Sequence, residues 1–422
     1  MQTAPPENKV TSLLQQLGPG LITGAADDDP SGIATFSIAG AAFGYGTLWT
    51  ALLSFPLMAA VQLMCSRLGM VSGLGLAAVV RRRYSRWVLW GTCLLLLVAN
   101  IINIAADLGG MAEATQMVTG VPARWFIPVY GGLIVCVLLF ASYRFLARIF
   151  KWLTLVLFAY VITAFLARPD WSAVLRATFL PEFRWSPDYL STLVAILGTC
   201  ISPYLFFWQA AEEVEEERAK GRATVEQRRG ATGKELRRAR IDVLAGMFFS
   251  NLVMYFIILT TGATLHQHGI TTVTTASQAA DALKPLAGAG AYWLFALGLV
   301  GTGMLGVPVL AGSSAYAVSE AMAWRASLDR KPALAPKFYA VLALSVALGG
   351  ALNYFGMDAV KMLFWSAVAN GVLAPPLIVV VILLTSDRQI MGDRANSSLL
   401  KWSGWICAAI MALAAIAMFV AG

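Results

Sequence analysis

Long apolar stretches separated by short polar joints recur from residue 17 to residue 421. A helix needs about 20 such residues to cross the hydrocarbon of a bilayer, and only helices or closed barrels satisfy their own backbone inside lipid. The stretches lie at 17–43, 46–70, 87–118, 126–142, 152–166, 189–211, 243–265, 291–321, 338–354, 362–385 and 402–421, which predicts an all-α membrane protein of eleven transmembrane helices. Hydrophobic residues are 58% of the 422 and charged residues 13%, against about a quarter charged in a soluble domain. An ordinary soluble fold is therefore excluded, and the chain reads as one membrane domain with the lipid bilayer as its surroundings.

The basic residues give this helix count a direction, because Lys and Arg accumulate on the cytoplasmic side of spans. With the N-terminus cytoplasmic, 25 of the 31 Lys and Arg fall in inside segments, among them Arg81, Arg82, Arg83, Arg237, Arg238 and Arg240. Arg124, Arg168, Arg176, Arg184, Lys284 and Lys361 are left outside. The expected placement is a plasma membrane, bacterial inner in character, with the C-terminus outside. The same bias accounts for the net charge of +8, so no nucleic-acid partner is expected. The cysteines Cys65, Cys93, Cys136, Cys200 and Cys407 are scattered through apolar spans without a close pair and read as buried small hydrophobes. No cleavable signal peptide is expected, since the first sixteen residues are polar.

Two spans contain residues that a spanning helix avoids, at corresponding places in the two halves. The first reads Gly24-Ala25-Ala26-Asp27-Asp28-Asp29-Pro30-Ser31-Gly32 and the sixth Gly198-Thr199-Cys200-Ile201-Ser202-Pro203-Tyr204. Proline removes a backbone donor, so each span is expected to break into two half-helices near mid-membrane. Spans one to five and six to ten then form two repeats, the pattern of an inverted-repeat transporter with its site between the breaks. The expected organisation is a cytoplasmic tail over 1–16, a first repeat over 17–166, an extracellular loop over 167–188 and a second repeat over 189–385. Residues 386–422 supply a loop and the eleventh span. Within the second repeat, residues 212–240 carry an acidic and then a basic block, expected to be a mobile, solvated cytoplasmic hairpin.

Each carboxylate at a helix centre costs about 2.5–3.5 kcal/mol on insertion scales, an expense that marks an ion path. Asp29, just before Pro30, is the expected charge of the site; Asp27 and Asp28 either share the path or cap the broken helix. A hard divalent cation such as Mg²⁺ or Mn²⁺ takes carboxylate, carbonyl, hydroxyl and water oxygen. Ala26 and Thr199 are expected to offer freed carbonyls, and Thr199 and Ser202 hydroxyls. Neither His nor Met lies at the breaks, and Cys200 reads as packing. Asp28, Asp107 and Gln209 are candidate path-lining groups, as is Asn370, one turn from Ser366. Asp107 and Glu113 lie six apart in the third span and form either a polar wall or interhelical contacts. Asn100 and Asn103 read as interhelical bonders, Trp208 as vestibule or packing, and His266 and His268 as solvent-exposed. No H-E-x-x-H and no histidine within a span argue against an intramembrane enzyme.

The spacing of Gly18-Pro19-Gly20, eight residues, and Asp29-Pro30-Ser31-Gly32 resembles the first helix of the Nramp divalent metal transporter family, which has Gly-Pro-Gly and then Asp-Pro-Gly-Asn. Thr199 to Tyr204 stands where that family has Ala-x-x-Met-Pro-His, and Ala106-Asp107-Leu108 is similar to its Thr-Asp-Leu. Residues 366–376 resemble its proline-containing tenth helix. The resemblance implies a LeuT-like 5+5 inverted repeat with broken first and sixth helices. It also implies a metal site at Asp29, with Gly32 in place of the binding Asn, Ser202 in place of the binding Met and Tyr204 in place of the proton-coupling His. These replacements are similar to the Nramp-related magnesium transporter branch. Loss of the thioether and the smaller side chains imply a wetter site, hence Mg²⁺ and also Mn²⁺ uptake by alternating access without strict proton coupling. The transported cation is substrate, so no cofactor is expected and no obligate protein partner is inferred. The rival readings are a proton-coupled Mn²⁺ or Fe²⁺ carrier, a carrier of organic solutes on the same fold, and a metal sensor.

Overall fold

A computed structural model of the chain describes residues 18–140, 155–328, 331–356 and 358–421. The helices of eight residues or more are α1 (Pro19–Asp27), α2 (Pro30–Phe43), α3 (Trp49–Ser72), α4 (Leu76–Arg83), α5 (Arg86–Thr119), α6 (Phe126–Phe140), α7 (Phe158–Leu166) and α8 (Trp171–Phe179). They continue with α9 (Pro187–Cys200), α10 (Pro203–Ala219), α11 (Gly233–Thr264), α12 (Ala291–Ala321), α13 (Pro336–Leu352), α14 (Ala359–Ser386) and α15 (Ser398–Ala421). No strand occurs among the described residues.

Both breaks form where the sequence places them, and local chemistry explains the restart of each helix. Asp29 is the N-cap of α2, its carboxylate accepting from the Gly32 N–H, and Pro30 follows in the first helical turn. An N-cap acceptor followed by a proline whose missing donor is not needed there is a strong helix start. Ser202 and Pro203 repeat the order at α10, without a side-chain cap bond. The last carbonyls of α1 and α9 thereby lose their intrahelical donors.

Among the described residues, nine helical segments are long and apolar enough to cross a membrane, the sixth span counting as one over Pro187–Ala219. The first span is not among the nine because its halves, α1 and α2, have 9 and 14 residues. The fifth span is described only from residue 155, where a short 3₁₀ turn leads into α7. The remainder of the span expected at 152–166, the end of 126–142 and the tail 1–16 lie outside the described residues. Elsewhere the helices outrun the expected spans, α11 beginning ten residues before 243.

The two repeats exchange partners. The first broken helix, α1 and α2, packs on α11, the seventh span, while the second half of the other broken helix, α10, packs on α3, the second span. Glycines permit the closest of these approaches, small residues being what lets membrane helices touch. A Cβ on Gly20 would lie 2.6 Å from the Val243 nitrogen, and one on Gly24 would meet the Gly246 carbonyl. On the other side, Gly198 of α9 lies against Ala367 and Gly371 of α14.

The segment 212–240 departs from expectation. Instead of a solvated hairpin, α10 continues to Ala219 and carries Glu213, Glu215 and Glu217 into buried positions. The Ser66 hydroxyl donates to Glu213 at 2.6 Å, Arg218 and the Ser327 hydroxyl reach Glu215 at 2.5 and 2.8 Å, and Arg222 and Lys220 pair with Glu217. The connection that follows is docked rather than free. Buried Arg228 donates to the Gly73 carbonyl at 3.2 Å, and the Gly230 N–H donates to the Val71 carbonyl at 3.0 Å. Gly73, at φ +66°, ends α3 in a left-handed turn against the Arg228 side chain. Glu215 and Glu217 thus have basic partners, while Glu213 is held by the Ser66 hydroxyl and the Gln209 amide. Cys136 also departs from expectation: it is exposed on α6, while the other four cysteines are buried.

The loop at 167–188 holds α8, started by Asp170, whose carboxylate accepts from Ser172 and the Ala173 N–H. Those bonds, the Ser172 hydroxyl first, hold the Asp170 carboxyl below its usual range.

Candidate functional site at the two helix breaks

Asp29 divides its two oxygens between structure and site. Oδ1 accepts from the Ser31 hydroxyl at 2.7 Å and the Gly32 N–H at 2.8 Å, which fixes the rotamer. Oδ2 points to Tyr204, whose hydroxyl lies 3.3 Å away and 3.1 Å from the Ala26 carbonyl. One phenolic proton is therefore shared between two of the expected ligands, and the group in the position of the family's histidine bridges both ends of the first break.

The second break closes from the opposite side. A Cβ on Gly32 would lie 2.9 Å from Thr199 Cγ2, so these residues are the contact between the breaks. The Thr199 hydroxyl is buried without a partner. Ser202 turns its hydroxyl proton back on its own break, 2.7 Å from the Thr199 carbonyl and 2.9 Å from that of Gly198. Its lone pairs remain available as an oxygen donor.

Asp107 of α5 joins this cluster across Gly306 of α12, where a Cβ would lie 3.1 Å from the Asp29 Cβ and 3.6 Å from Asp107 Oδ2. Both Asp107 oxygens are buried without a hydrogen-bond partner. Asp27 and Asp28 meet a different group: the Ser250 hydroxyl of α11 lies 2.6 Å from Asp27 Oδ2 and 3.2 Å from Asp28 Oδ1. Four carboxylates are thus almost fully enclosed, Asp27 2% exposed, Asp28 6%, Asp29 2% and Asp107 0%. No Lys or Arg pairs with any of them among the described residues. Nor, among the described residues, do three His, Cys, Asp or Glu side chains converge there as a ready-made metal cage.

Other candidates are committed elsewhere. The Asn370 carbonyl accepts from Asn103 at 2.9 Å, tying α14 to α5, though the Asn370 amide nitrogen is left unpaired. Asn100 donates to Leu310, Ser313 and Ser314 of α12, the interhelical role its position suggested. Gln209 accepts from Thr23 at 2.6 Å and donates to Glu213 at 3.0 Å, forming a polar relay from α1 to the Glu213–Ser66 pair. Glu113 accepts from the Ala276 N–H at 3.2 Å, so it ties down a connecting segment instead of facing Asp107. Trp208 packs edge-on against Tyr316. Cys200 is in contact with Met254, sulfur to sulfur at 3.2 Å. His266 is half-buried, not solvent-exposed as expected, because its ring nitrogen bonds the Ala41 carbonyl at the end of α2; His268 is exposed.

Ser250, Gly306 and Thr23 were not anticipated. Ser250 is one hydroxyl in an apolar span and carries no local signal. Gly306 belongs to a run with Gly298, Gly301 and Gly303, a small-residue stripe that does announce close helix contact.

Comparison with known proteins places this architecture. The chain is 27% identical over 424 residues to the divalent metal cation transporter MntH of Deinococcus radiodurans, covering 95% of this chain and 88% of that one. It is 25% identical over 417 residues to the protein of the same name from Caldanaerobacter subterraneus, covering 96% and 92%. Its fold matches a crystal structure of the Eremococcus coleocola manganese transporter with a TM-score of 0.73 at 19% identity, over 99% of this chain and 88% of that one. It also matches MHP1, a nucleobase-cation-symport-1 family transporter, with a TM-score of 0.58 at 15% identity, over 96% and 92%. These likenesses bear out the LeuT-like fold that the family resemblance implied. The family description "Natural resistance-associated macrophage protein-like" matches residues 20–421, and the chain belongs to the Nramp family.

Proposed function

We propose that this protein carries a divalent metal cation across the membrane by alternating access, with Asp29, the Ala26 and Thr199 carbonyls and the Ser202 hydroxyl as its ligands beside Gly32. The observation that carries this reading is the meeting of the breaks: a carboxylate, a carbonyl at the end of α1 and an orphaned hydroxyl oxygen lie buried together beside Asp107, with no basic residue paired to the acids among the described residues. Uncompensated acids inside a bilayer are expensive, and a passing cation is their electrostatic complement. The names of the relatives, divalent metal cation transporters, agree with it. Tyr204, Asp107 and Asp28 are read as path-lining, Gln209 as part of the wall below the site, and Asn370 as reaching the ion through its free amide side only by way of water. We read the protein as a carrier and not an enzyme, with no cofactor.

We further infer a hard-ion preference, Mg²⁺ with Mn²⁺ also accepted, and no strict proton coupling. Mg²⁺ keeps several waters and takes one or two carboxylates rather than a full protein cage, which suits a site with few converging acids. The nearest sulfur on the broken helix, Cys200, is engaged with Met254, and Ser202 brings oxygen where a thioether would favour softer metals. An inside-negative potential of 100 mV contributes about 4.6 kcal/mol to entry of a doubly charged ion, at about 2.3 kcal/mol per charge, so uptake needs no coupling. The inward N-terminus and the repeat limits 17–166 and 189–385 belong to the same proposal.

The test is influx of Mg²⁺ and Mn²⁺ into proteoliposomes, for the intact protein beside Asp29→Ala, with internal pH followed in parallel. Both ions are expected to enter with the intact protein and neither with the variant, without stoichiometric acidification. Entry of Mn²⁺ alone, with protons, selects the proton-coupled manganese carrier; entry of neither ion overturns transport itself.

A further inference from the structure

On the face that carries the arginine-rich joints, α3, α11 and α15 leave a groove of about 560 Å³ between them. Its floor is apolar, made by Phe55, Pro56, Ala59 and Leu63 of α3 and Leu244 of α11. The apolar positions Phe55 to Leu63 span eight residues of one helix, about 12 Å at 1.5 Å per residue, and Arg67 lies about 6 Å further along. The apolar length is close to the half-thickness of the bilayer hydrocarbon, about 15 Å.

One end of the groove is basic, with Arg67, Arg237 and Arg240 in its lining and no carboxylate among the lining residues. Arg67 spends one nitrogen on the carbonyls of Arg394 and Ala395, at 2.6 and 3.4 Å, and its Nε–H is buried without an acceptor. Arg237 and Arg240 are exposed and form no ion pair among the described residues. These guanidinium groups contrast with Arg218 and Arg222 nearby on the same face, which pair with Glu215 and Glu217.

We propose that the groove binds an anionic phospholipid, its acyl chain along the Phe55 to Leu63 face of α3 and its phosphate among Arg67, Arg237 and Arg240. A soluble anion has no use for an apolar trough about 12 Å long, at 1.5 Å per residue, and a neutral lipid leaves three guanidinium groups without a counter-charge. Guanidinium is well matched to phosphate by its planar fork of donors. The lipid bridges α3, which packs on the second broken helix, to α11, which packs on the first.

The experiment is native mass spectrometry of the full chain in detergent, titrated with phosphatidylglycerol or phosphatidylcholine, for the intact protein and for Arg237→Gln/Arg240→Gln. A basic residue at an anionic lipid surface is worth about 1 kcal/mol, or roughly fivefold in binding. Phosphatidylglycerol is expected to be retained roughly twentyfold more strongly than phosphatidylcholine by the intact protein. The double variant is expected to lose most of that preference while melting at an unchanged temperature. A photoreactive phosphatidylglycerol is expected to label peptides from the 55–67 and 236–244 segments of the intact protein, a readout that holds whether or not the variant folds. Equal retention of the two lipids by the intact protein, undiminished preference in a folded variant, or labelling confined to other segments overturns the proposal. None of these readouts depends on transport.

Discussion

At the scale of single residues, the contact between the two breaks is made by Gly32 and Thr199. Where the family pattern that this chain resembles has Asn in the first break and Ala in the second, this chain has Gly32 and Thr199, and Thr199 Cγ2 lies beside Gly32. Gly32→Asn alone is expected to overpack this contact and lower the unfolding midpoint, at a cost of about 1–3 kcal/mol. Combined with Thr199→Ala it is expected to recover much of the loss, which a double-mutant cycle by thermal unfolding measures directly. Tyr204 offers a second prediction. Its hydroxyl proton is shared by the Ala26 carbonyl and Asp29, so Tyr204→Phe leaves two buried acceptors without a donor, at about 1–3 kcal/mol. A cation bound as proposed meets both acceptors. The variant is therefore expected to melt lower without divalent ion and to show a larger ion-induced rise in melting temperature than the intact protein. An equal rise in both would place the ion away from these oxygens.

At the scale of elements, the dipeptides Asp29-Pro30 and Ser202-Pro203 restart the helices, but glycines decide how near the first halves come to their neighbours. α1 lies so close to α11 that Gly24 touches the Gly246 carbonyl, and Asp242 of α11 accepts from the Gly18 and Gly20 N–H groups at 3.0 and 2.6 Å. Gly24→Val is expected to force the helices apart and abolish ion influx with a lowered melting temperature. Gly132→Ala, where nothing lies within 4 Å of the added carbon, is expected to leave both unchanged. The breaks were legible in the sequence because Asp-Pro and Ser-Pro act through local capping. The burial of the acidic block that begins at Glu212 was not, because it depends on Ser66 and Ser327, which lie on other segments.

At the scale of the whole molecule, the asymmetry of Lys and Arg predicts a testable orientation. A cysteine at Arg184→Cys is expected to react with a membrane-impermeant maleimide in intact cells. One at Arg229→Cys is expected to react only after permeabilisation, both in a background with exposed Cys136 replaced by Ser. The reverse pattern would invert the topology. Hydropathy and the two interruptions by themselves determined that the chain is a helical membrane protein with paired broken helices, since each is a signal carried within about twenty consecutive residues. Tertiary structure alone decided that Tyr204 joins Ala26 to Asp29, that Asp107 reaches the site while Glu113 does not, and that Asn370 is held by Asn103. Those outcomes depend on the rotation of one helix against another. That rotation is set by glycine contacts and side-chain fit between segments hundreds of residues apart, for which no local pattern in the chain is a proxy.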